Sequence, residues 1–467
     1  MIRLFDHYVP TRTVLELGTD FVLLLLSAIA AEATLALLAP GRLPSSDWLQ
    51  PLFPSLLFAT TTETLLIAFG AYRRDRVGSL RALWVCTLLA VGVGFVPLVF
   101  AMEQFSLPRH DALGFLALAY LYLFGMQLVR RPLLGAYSER LWSRNVLIVG
   151  CGAEAASAAS DIGQRGAGAY KLVGFYPSNL EGAQFSAMPG PVLDPGIPLS
   201  QLSRHHEVDE IIVAVREQRG GVLPLRHLLE CRTQGVRVHS LASFSERFKG
   251  EVPLDSLKAS WLIYGDGFAQ GWLRTTVKRT FDIIVSLVLL ALTWWIMLLA
   301  ALAILIEDGA PVLFRQERVG RHGRTFQVLK FRSMRKDAEK DGVARWAQAN
   351  DSRITAVGRF IRKTRIDELP QLINVLRGEM SLVGPRPERP GFVDQLTEQI
   401  PFYAIRHSVK PGMTGWAQVR FSYGASLADA RRKLQFDLYY VKNHSLVLDA
   451  QIILETVRVV LFGEGAR

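Results

Sequence analysis

Five long apolar stretches limit what this chain can fold into more than any other feature. Four come first, at about 14–39, 52–70, 82–102 and 111–129. Each is close to the roughly 20 residues that an α-helix needs to cross the hydrocarbon core of a bilayer. The charges between them are uneven. Arg73, Arg74, Arg76 and Arg81 lie between the second and third stretches, and Arg130, Arg131, Arg140 and Arg144 follow the fourth, whereas the other two loops hold only Arg42 and Arg109. Lys and Arg collect on cytoplasmic loops, so the pattern predicts a four-helix transmembrane bundle over 1–135 with both ends in the cytoplasm. Glu32 and Glu63 fall inside spans, where packing within the bundle is the ordinary role and a functional acid the rarer one. The first stretch is too long, and is followed by too many others, to read as a cleaved signal peptide. Half of the residues are hydrophobic and the mean hydropathy is +0.22, as expected of an integral membrane protein with soluble parts.

From Arg144 the pattern changes. NVLIVGCGAEAASAASDI reads as a buried strand, a glycine turn and an Ala-rich helix. KLVGFYPSN and DEIIVAVRE read as further strands, LPLRHLLECRTQG as a helix and VRVHSL as another strand. Alternating β and α elements predict a parallel, doubly wound sheet, here a Rossmann-like domain over 140–262. Gly150 and Gly152, with Ala155 in the third slot, form a candidate nucleotide loop. The carboxylate expected about 20 positions further on is missing. A scaffold or regulatory module is therefore the stronger reading of this domain. His205, His206, His227 and His239 lack metal-ligand spacing, and Cys86, Cys151 and Cys231 form no CxxC, which argues against a metal centre or a disulfide framework.

The fifth apolar stretch, 281–306, is long enough to span but wrongly flanked. Arg274, Lys278 and Arg279 precede it; Arg315, Arg318, Arg321 and Arg324 follow. A crossing would leave one basic flank outside. A re-entrant helix over 279–306, entering one leaflet and returning, avoids this. After it, VLFRQ and FQVLKF alternate as two strands of a hairpin about GRHGR, with Lys330 and Arg332 side by side. The chain ends in amphipathic helices suited to lying along a membrane.

The chemistry concentrates in KTRIDELPQLINVLRGEMSLVGPRPER (363–389). Asp367 and Glu368 open a short apolar-periodic segment, and Pro370 suits a first helical turn. This places the acids at a helix N-terminus, where N–H groups and the dipole attract phosphate. Arg353, Arg359, Arg362, Lys363, Arg365, Arg377, Arg386 and Arg389 surround them, so both acids should stay ionised. An ionised Asp can act as a nucleophile, and an adjacent Glu can hold Mg²⁺ against a diphosphate. Taken alone, Asp367 could equally be a helix cap. Two further cation-bearing turns, VGPRP with Arg386 and KPGMTGW with Lys410, favour the phosphate reading. The net charge of +11 points to anionic partners. No zinc-finger spacing or basic–aromatic RNA motif is present, which excludes nucleic acid.

In combination, KRTFDIIVSL (278–287), PVLFRQERVG (311–320), FQVLKFRSM (326–334), the run over 351–388 and VKPGMTGWAQV (409–419) resemble the bacterial polyprenyl-phosphate hexose-1-phosphate transferases, or monotopic phosphoglycosyl transferases. The preceding segments resemble the family's long form, which starts exopolysaccharide or capsule repeat units. The ending KLQFDLYYVKN…ETVRVVLFGEGAR is similar to a branch associated with exosortase systems. The resemblance implies an α+β catalytic domain over 275–467 on the cytoplasmic side of the bacterial inner membrane, with a re-entrant helix and interfacial helices. It implies a UDP-sugar donor, undecaprenyl phosphate as acceptor, Mg²⁺ as cofactor, contact with membrane lipids and a homodimer. Asp367 would be the nucleophile, forming a covalent phospho-sugar with release of UMP, and Glu368 would hold the metal. Lys330, Arg332 and Arg386 are the first expectations for phosphate, and Arg365 and Lys410 follow. His407 is not needed as a base, and Trp416 either stacks a uracil or packs. Family members carry a proline at the membrane bend; this chain has Thr293 and Trp294 there, and Thr back-bonding bends a helix only mildly. Two rival functions stay open: a glycosyltransferase releasing UDP, and a non-catalytic scaffold whose α/β domain senses nucleotides.

Overall fold

The structure is a computed structural model that describes residues 2–4, 7–9, 11–38, 52–68, 87–88, 90–94, 114–125, 128, 143–165, 170–177, 188–215, 223–254, 271–335, 353–421 and 426–462. The chain divides into two compact units, Val9–Lys249 and Gly250–Arg467, the second joined by Ile2–Tyr8.

The first unit opens with apolar helices α1 (Thr11–Leu38), α2 (Leu52–Ala68) and α3 (Gly114–Gly125). They share one core built from Leu24, Ala28 and Ala31, Phe58, Ala59 and Leu66, and Phe115, Ala119 and Leu123. Alanines at these contacts let the backbones approach closely. Thr34 and Tyr122 share a 2.9 Å hydrogen bond between α1 and α3. Outward-facing Val22, Leu26, Leu56 and Leu121 are exposed, so the assembly is apolar both inside and out. By length and composition α1 can cross a membrane, and α2 and α3 are shorter apolar helices. Of the third expected span, 82–102, only 87–88 and 90–94 are described; there Ala90 and Val91 join the same core. Glu63 is buried, and the Glu32 side chain lies outside the described residues.

The expected parallel sheet follows: β1 (Arg144–Val149), β2 (Tyr170–Tyr176), β3 (Glu210–Val213) and β4 (Arg237–Ser240), all parallel, in the order β2-β1-β3-β4. Alternate residues serve two cores. Val146, Ile148, Phe175 and Ile212 face α4 (Ala153–Arg165) and α7 (Leu241–Lys249). Leu147, Val149, Ile211 and Val213 face α5 (Leu199–His205) and α6 (Leu225–Thr233). A sheet covered on both faces explains the continuous apolar runs of its strands. In the candidate nucleotide loop, Gly150 has φ +119°, and a Cβ there would lie 2.8 Å from the Ala214 carbonyl oxygen. Its amide donates to Tyr176 at 2.8 Å, and Glu154 sits in the first turn of α4. Backbone geometry thus accounts for Gly150.

The second unit begins with α8 (Trp272–Asp308), an unbroken helix of 37 residues. Phe281, Val285 and Leu290 lean on the main core of this unit. Met297, Ala300, Ala301 and Ile304 pack on a second cluster with Phe331 and Ile361. On the outward side of the same stretch Leu287, Val288, Leu292, Trp294 and Trp295 are each more than half exposed. Thr293 makes the expected back-bond, its hydroxyl donating to Leu289 at 2.7 Å, and the helical ladder runs on through Trp294. Both ends of the helix therefore rest on one domain, while its apolar middle stands bare.

The expected hairpin is present as β5 (Leu313–Val319) and β6 (Thr325–Phe331), antiparallel in full register. Then come α9 (Ala356–Lys363), a 3₁₀ turn (Ile366–Glu368), α10 (Gln371–Arg377), β7 (Ser381–Val383), α11 (Pro390–Gln399), a 3₁₀ segment (Tyr403–Ser408), β8 (Gly412–Thr414), α12 (Trp416–Arg420), α13 (Leu427–Asn443) and α14 (Leu446–Phe462). Of the expected interfacial helices, α13 is inside: Leu434, Phe436, Leu438, Tyr439, Tyr440 and Val441 are all buried. α14 turns Leu448 and Ile452 inward and Val447 and Val457 outward. Strands β7 and β8 pair in parallel and bring the two Gly/Pro turns together. A Cβ on Gly384 would lie 2.4 Å from the Lys410 carbonyl, and one on Gly412 would lie 2.1 Å from the Gly384 nitrogen. Gly412→Ala is therefore expected to destabilise the purified protein by about 1–3 kcal/mol through overpacking. Gly391→Ala, where nothing lies within 4 Å, should stay within about 0.5 kcal/mol; thermal unfolding in detergent compares the two.

Candidate active site

The acidic pair sits where three elements converge. Helix α9 stops at Thr364, and Arg365 then adopts a left-handed conformation, φ 60°. That turn starts a separate 3₁₀ turn holding Asp367 and Glu368, so α10 begins only at Gln371, with Pro370 as its N-cap residue. The sequence predicted instead that the pair opens this helix, with its N–H groups free for phosphate. The structure moves the helix start onward because Arg365 reverses the backbone first. The amides of Glu368, Leu369, Leu372 and Ile373 are taken up by carbonyls three residues back.

Glu368 is 9% exposed, and its cations gather on Oε1. Lys330 Nζ from β6 approaches to 2.9 Å, Arg386 Nη2 from the VGPRP turn to 3.0 Å and Arg365 Nη1 to 3.9 Å. Burial works against ionisation, but Lys330, then Arg386 and Arg365, outweigh it and hold this carboxyl well below the usual range. Asp367 is treated differently. Burial, followed by the negative charge of Glu368, pushes it up to about 6 against the pull of Lys330, Arg365 and Arg362. Its Oδ1 is buried and has no hydrogen-bond partner. The cations expected to keep both acids ionised therefore act unequally on the two. Glu368 takes the cations, and Asp367 keeps a bare oxygen and titrates closer to neutrality.

The cations themselves are held by groups the motifs did not reveal. Asn374, fully buried, donates to the Gln327 carbonyl at 2.8 Å and accepts from the Leu329 amide at 3.0 Å, pinning β6 beside Lys330. Its only signal in the sequence is an amide inside the apolar run LINVL. Arg406 donates to the Arg386 carbonyl at 2.8 Å and pairs with buried Asp437 at 2.8 Å. Arg318 donates to the Pro387 carbonyl at 3.0 Å. No local pattern connects Arg406 with Asp437.

Other expected residues lie elsewhere. Arg332, one residue past the end of β6, is buried and turned the other way, donating to the carbonyls of Asp308, Gly309 and Pro311 and pairing with the Asp308 carboxylate at 3.1 Å. Lys410 lies beside Arg279 at the carboxyl end of α10; a Cβ on Gly378 would be 3.5 Å from both. His407 is pushed down to about 4 by burial and by Arg406, so it is neutral. Trp416 packs: it is buried, stacks on Tyr439 and donates to the Gly250 carbonyl at 2.7 Å.

No cluster of three metal-ligating side chains occurs among the described residues. Mg²⁺, however, commonly takes one or two carboxylates and completes its shell with water and substrate phosphate. The unpartnered Oδ1 of Asp367 beside Glu368 fits that pattern.

Residues 273–463 match the family model for bacterial sugar transferases. An undecaprenyl-phosphate galactose phosphotransferase of Salmonella typhimurium is 31% identical over 398 residues, 79% of this chain and 80% of that protein. The chain belongs to the bacterial sugar transferases. This bears out the resemblance to the polyprenyl-phosphate hexose-1-phosphate transferases. A UDP-N-acetylgalactosamine-undecaprenyl-phosphate N-acetylgalactosaminephosphotransferase of Aeromonas hydrophila is 44% identical over 242 residues, 52% of this chain and 56% of that protein. An undecaprenyl-phosphate glucose phosphotransferase of Komagataeibacter xylinus is 45% identical over 194 residues, 40% of this chain and 36% of that one. The chain thus spans little more than half of the first of these two and about a third of the second.

In this sugar transferase the ion pair beneath Arg386 yields a clear expectation. Arg406→Met strands the Asp437 carboxylate in the core and should destabilise the protein by about 3–5 kcal/mol, whereas adding Asp437→Leu should recover most of that loss. Denaturant midpoints of the wild type, the single and the double variant measure both effects.

Proposed function

We propose that this protein transfers a hexose-1-phosphate from a UDP-sugar to undecaprenyl phosphate, releasing UMP and starting an exopolysaccharide repeat unit. The observation that carries the reading is the division of the acidic pair: a carboxylate locked by three cations beside one with a bare, buried oxygen. In the first step an Asp367 carboxylate oxygen attacks the phosphorus that bears the sugar. The new O–P bond forms as the bond to the bridging oxygen breaks, and the electron pair leaves with UMP. In the second step a phosphate oxygen of the acceptor attacks the same phosphorus, and the aspartyl oxygen departs with its electrons as a free carboxylate. Two displacements let a soluble donor and a lipid acceptor use one site in turn.

Lys330, Arg365 and Arg386 border the site and would face the oxygens whose charge shifts during transfer. Glu368 and the bare Asp367 oxygen would hold Mg²⁺, which when bound supplies positive charge to a diphosphate. The chemistry needs no general base, and neutral His407 is left without that role. The names of the relatives carry three different sugars, galactose, N-acetylgalactosamine and glucose. The transfer itself is what they have in common.

We place the protein in the bacterial inner membrane, with four crossings before the α/β domain and α8 as a re-entrant helix. Both ends of α8 resting on one domain supports that reading, as does its bare middle. Anionic and neutral lipids would surround this apolar stretch, and a homodimer suits the long form. The α/β domain is read as a scaffold or regulatory module.

Membranes given radiolabelled UDP-sugars and undecaprenyl phosphate should move label into lipid and free UMP. Release of UDP would favour the glycosyltransferase rival, and activity persisting in Asp367→Asn would sink the covalent route. With donor alone, mass spectrometry should find the phospho-sugar on the peptide containing Asp367. A pH profile gives a second check. Asp367 sits above its ordinary range and must be ionised to attack, so the donor half-reaction should fall about tenfold per pH unit below about 6 and level off above it. Arg362→Gln removes a cation that lowers this group, and should move the acid limb to higher pH.

A further inference from the structure

Asp367 and Glu368 lie on the short connection between α9 and α10, helices of eight and seven residues. Helices this short do not hold themselves in water, so their placement comes from what grips them. Both are gripped at their outer ends by the same helix, α8. At the amino end of α9, the Glu307 carboxylate accepts from the Ala356 amide at 2.8 Å and from the Val357 amide at 3.0 Å. At the carboxyl end of α10, Arg279 donates to the Val375 carbonyl at 2.6 Å and to the Leu376 carbonyl at 2.7 Å. Each charge has the sign that its helix end attracts: negative at the amino end, positive at the carboxyl end.

The surrounding contacts reinforce each grip. Beside Glu307, Asp308 pairs with Arg332, and Ile304 packs with Ile361 and Ile366, the residue immediately before Asp367. Next to Arg279, Lys278 pairs with Asp449 at 2.6 Å, and Asp282 accepts from the Leu382 amide at 3.3 Å. The two grips are thus the two fixed ends of one apolar helix whose middle is exposed.

We propose that α8 is a two-point clamp on the acidic pair, with Glu307 and Arg279 as positioning residues that set where Asp367 stands relative to Glu368 and Lys330. The clamp makes the membrane helix part of the active site without touching substrate. It also explains why Arg332, a cation that the sequence places near phosphate chemistry, is spent on the end of α8. The inference rests on the transferase reading for its kinetic consequence only.

Glu307→Ala, Glu307→Gln, Arg279→Met, Arg279→Lys and the double variant Glu307→Ala/Arg279→Met test it in the full chain, reconstituted in nanodiscs. Hydrogen exchange read by mass spectrometry is the arm that does not depend on activity. Releasing either end should speed exchange across 364–370, and a change confined to the capped turn itself would overturn the clamp. In the kinetic arm, each full deletion should lower kcat on the order of 10–100-fold, the cost of a small misplacement, with the donor KM within about threefold. Gln and Lys, which keep one hydrogen bond, should restore part of kcat. Because either release frees the same segment, the double variant should be no slower than the slower single one. Independent multiplication of the two losses, or an unchanged kcat with only a lower unfolding temperature, would reduce both residues to ordinary helix caps. If the wild type forms no lipid-linked sugar with any donor, the transferase reading fails, and the exchange arm alone decides the clamp.

Discussion

A single buried carboxylate oxygen organises the catalytic unit. Glu368 Oε1 draws together Lys330 from a β-hairpin, Arg386 from a Gly/Pro turn and Arg365 from the turn that carries the acid itself. Leaving a carboxylate in so enclosed a place without cations would cost several kcal/mol, so the fold must deliver those cations accurately. Asn374 fastens the hairpin to α10, and Arg406 fastens the Arg386 backbone to Asp437. Three buried polar residues, Asn374, Arg406 and Asp437, thus serve that one meeting point.

The same arrangement differentiates two chemically similar neighbours. The cations gather on Glu368, and burial together with the negative charge they secure there raises Asp367. Two carboxyls side by side end in different charge environments because one monopolises the neutralising groups. A ring of eight basic residues counted along the chain could not reveal this. Counting assigns the same field to both acids, whereas the geometry of three side chains does not.

Legibility followed range. The two-sided parallel sheet could be read from its strands because their apolar runs are continuous and local, and the β5–β6 hairpin could be read from alternation about GRHGR. Alternation failed one residue beyond the strand. Lys330 and Arg332 share a parity, but β6 ends at Phe331, so only Lys330 is aimed by the sheet and Arg332 turns to the end of α8. Pro370 correctly marked a helix start, but the left-handed Arg365 placed the acids in a turn of their own. Long-range partners left little trace. Arg406 and Asp437 are ordinary charged residues in sequence, and Trp416 gave no hint whether it stacked on a ligand or on Tyr439.

For α8, the polar ties at its ends bear on placement more directly than its length does. At 37 residues α8 is ~55 Å long, well beyond the ~30 Å of a hydrocarbon core. Length therefore says only that it can span. Its polar ties say more. Lys278 and Arg279 near one end, and Glu307 and Asp308 at the other, all bind groups of the same domain. A true crossing would have to carry one of those sets, with the charged groups it binds, to the far side of the bilayer. Moving unpaired charges through hydrocarbon is far more costly than leaving a bare apolar middle in one leaflet. That asymmetry is what favours the proposed re-entrant placement of α8 over a crossing.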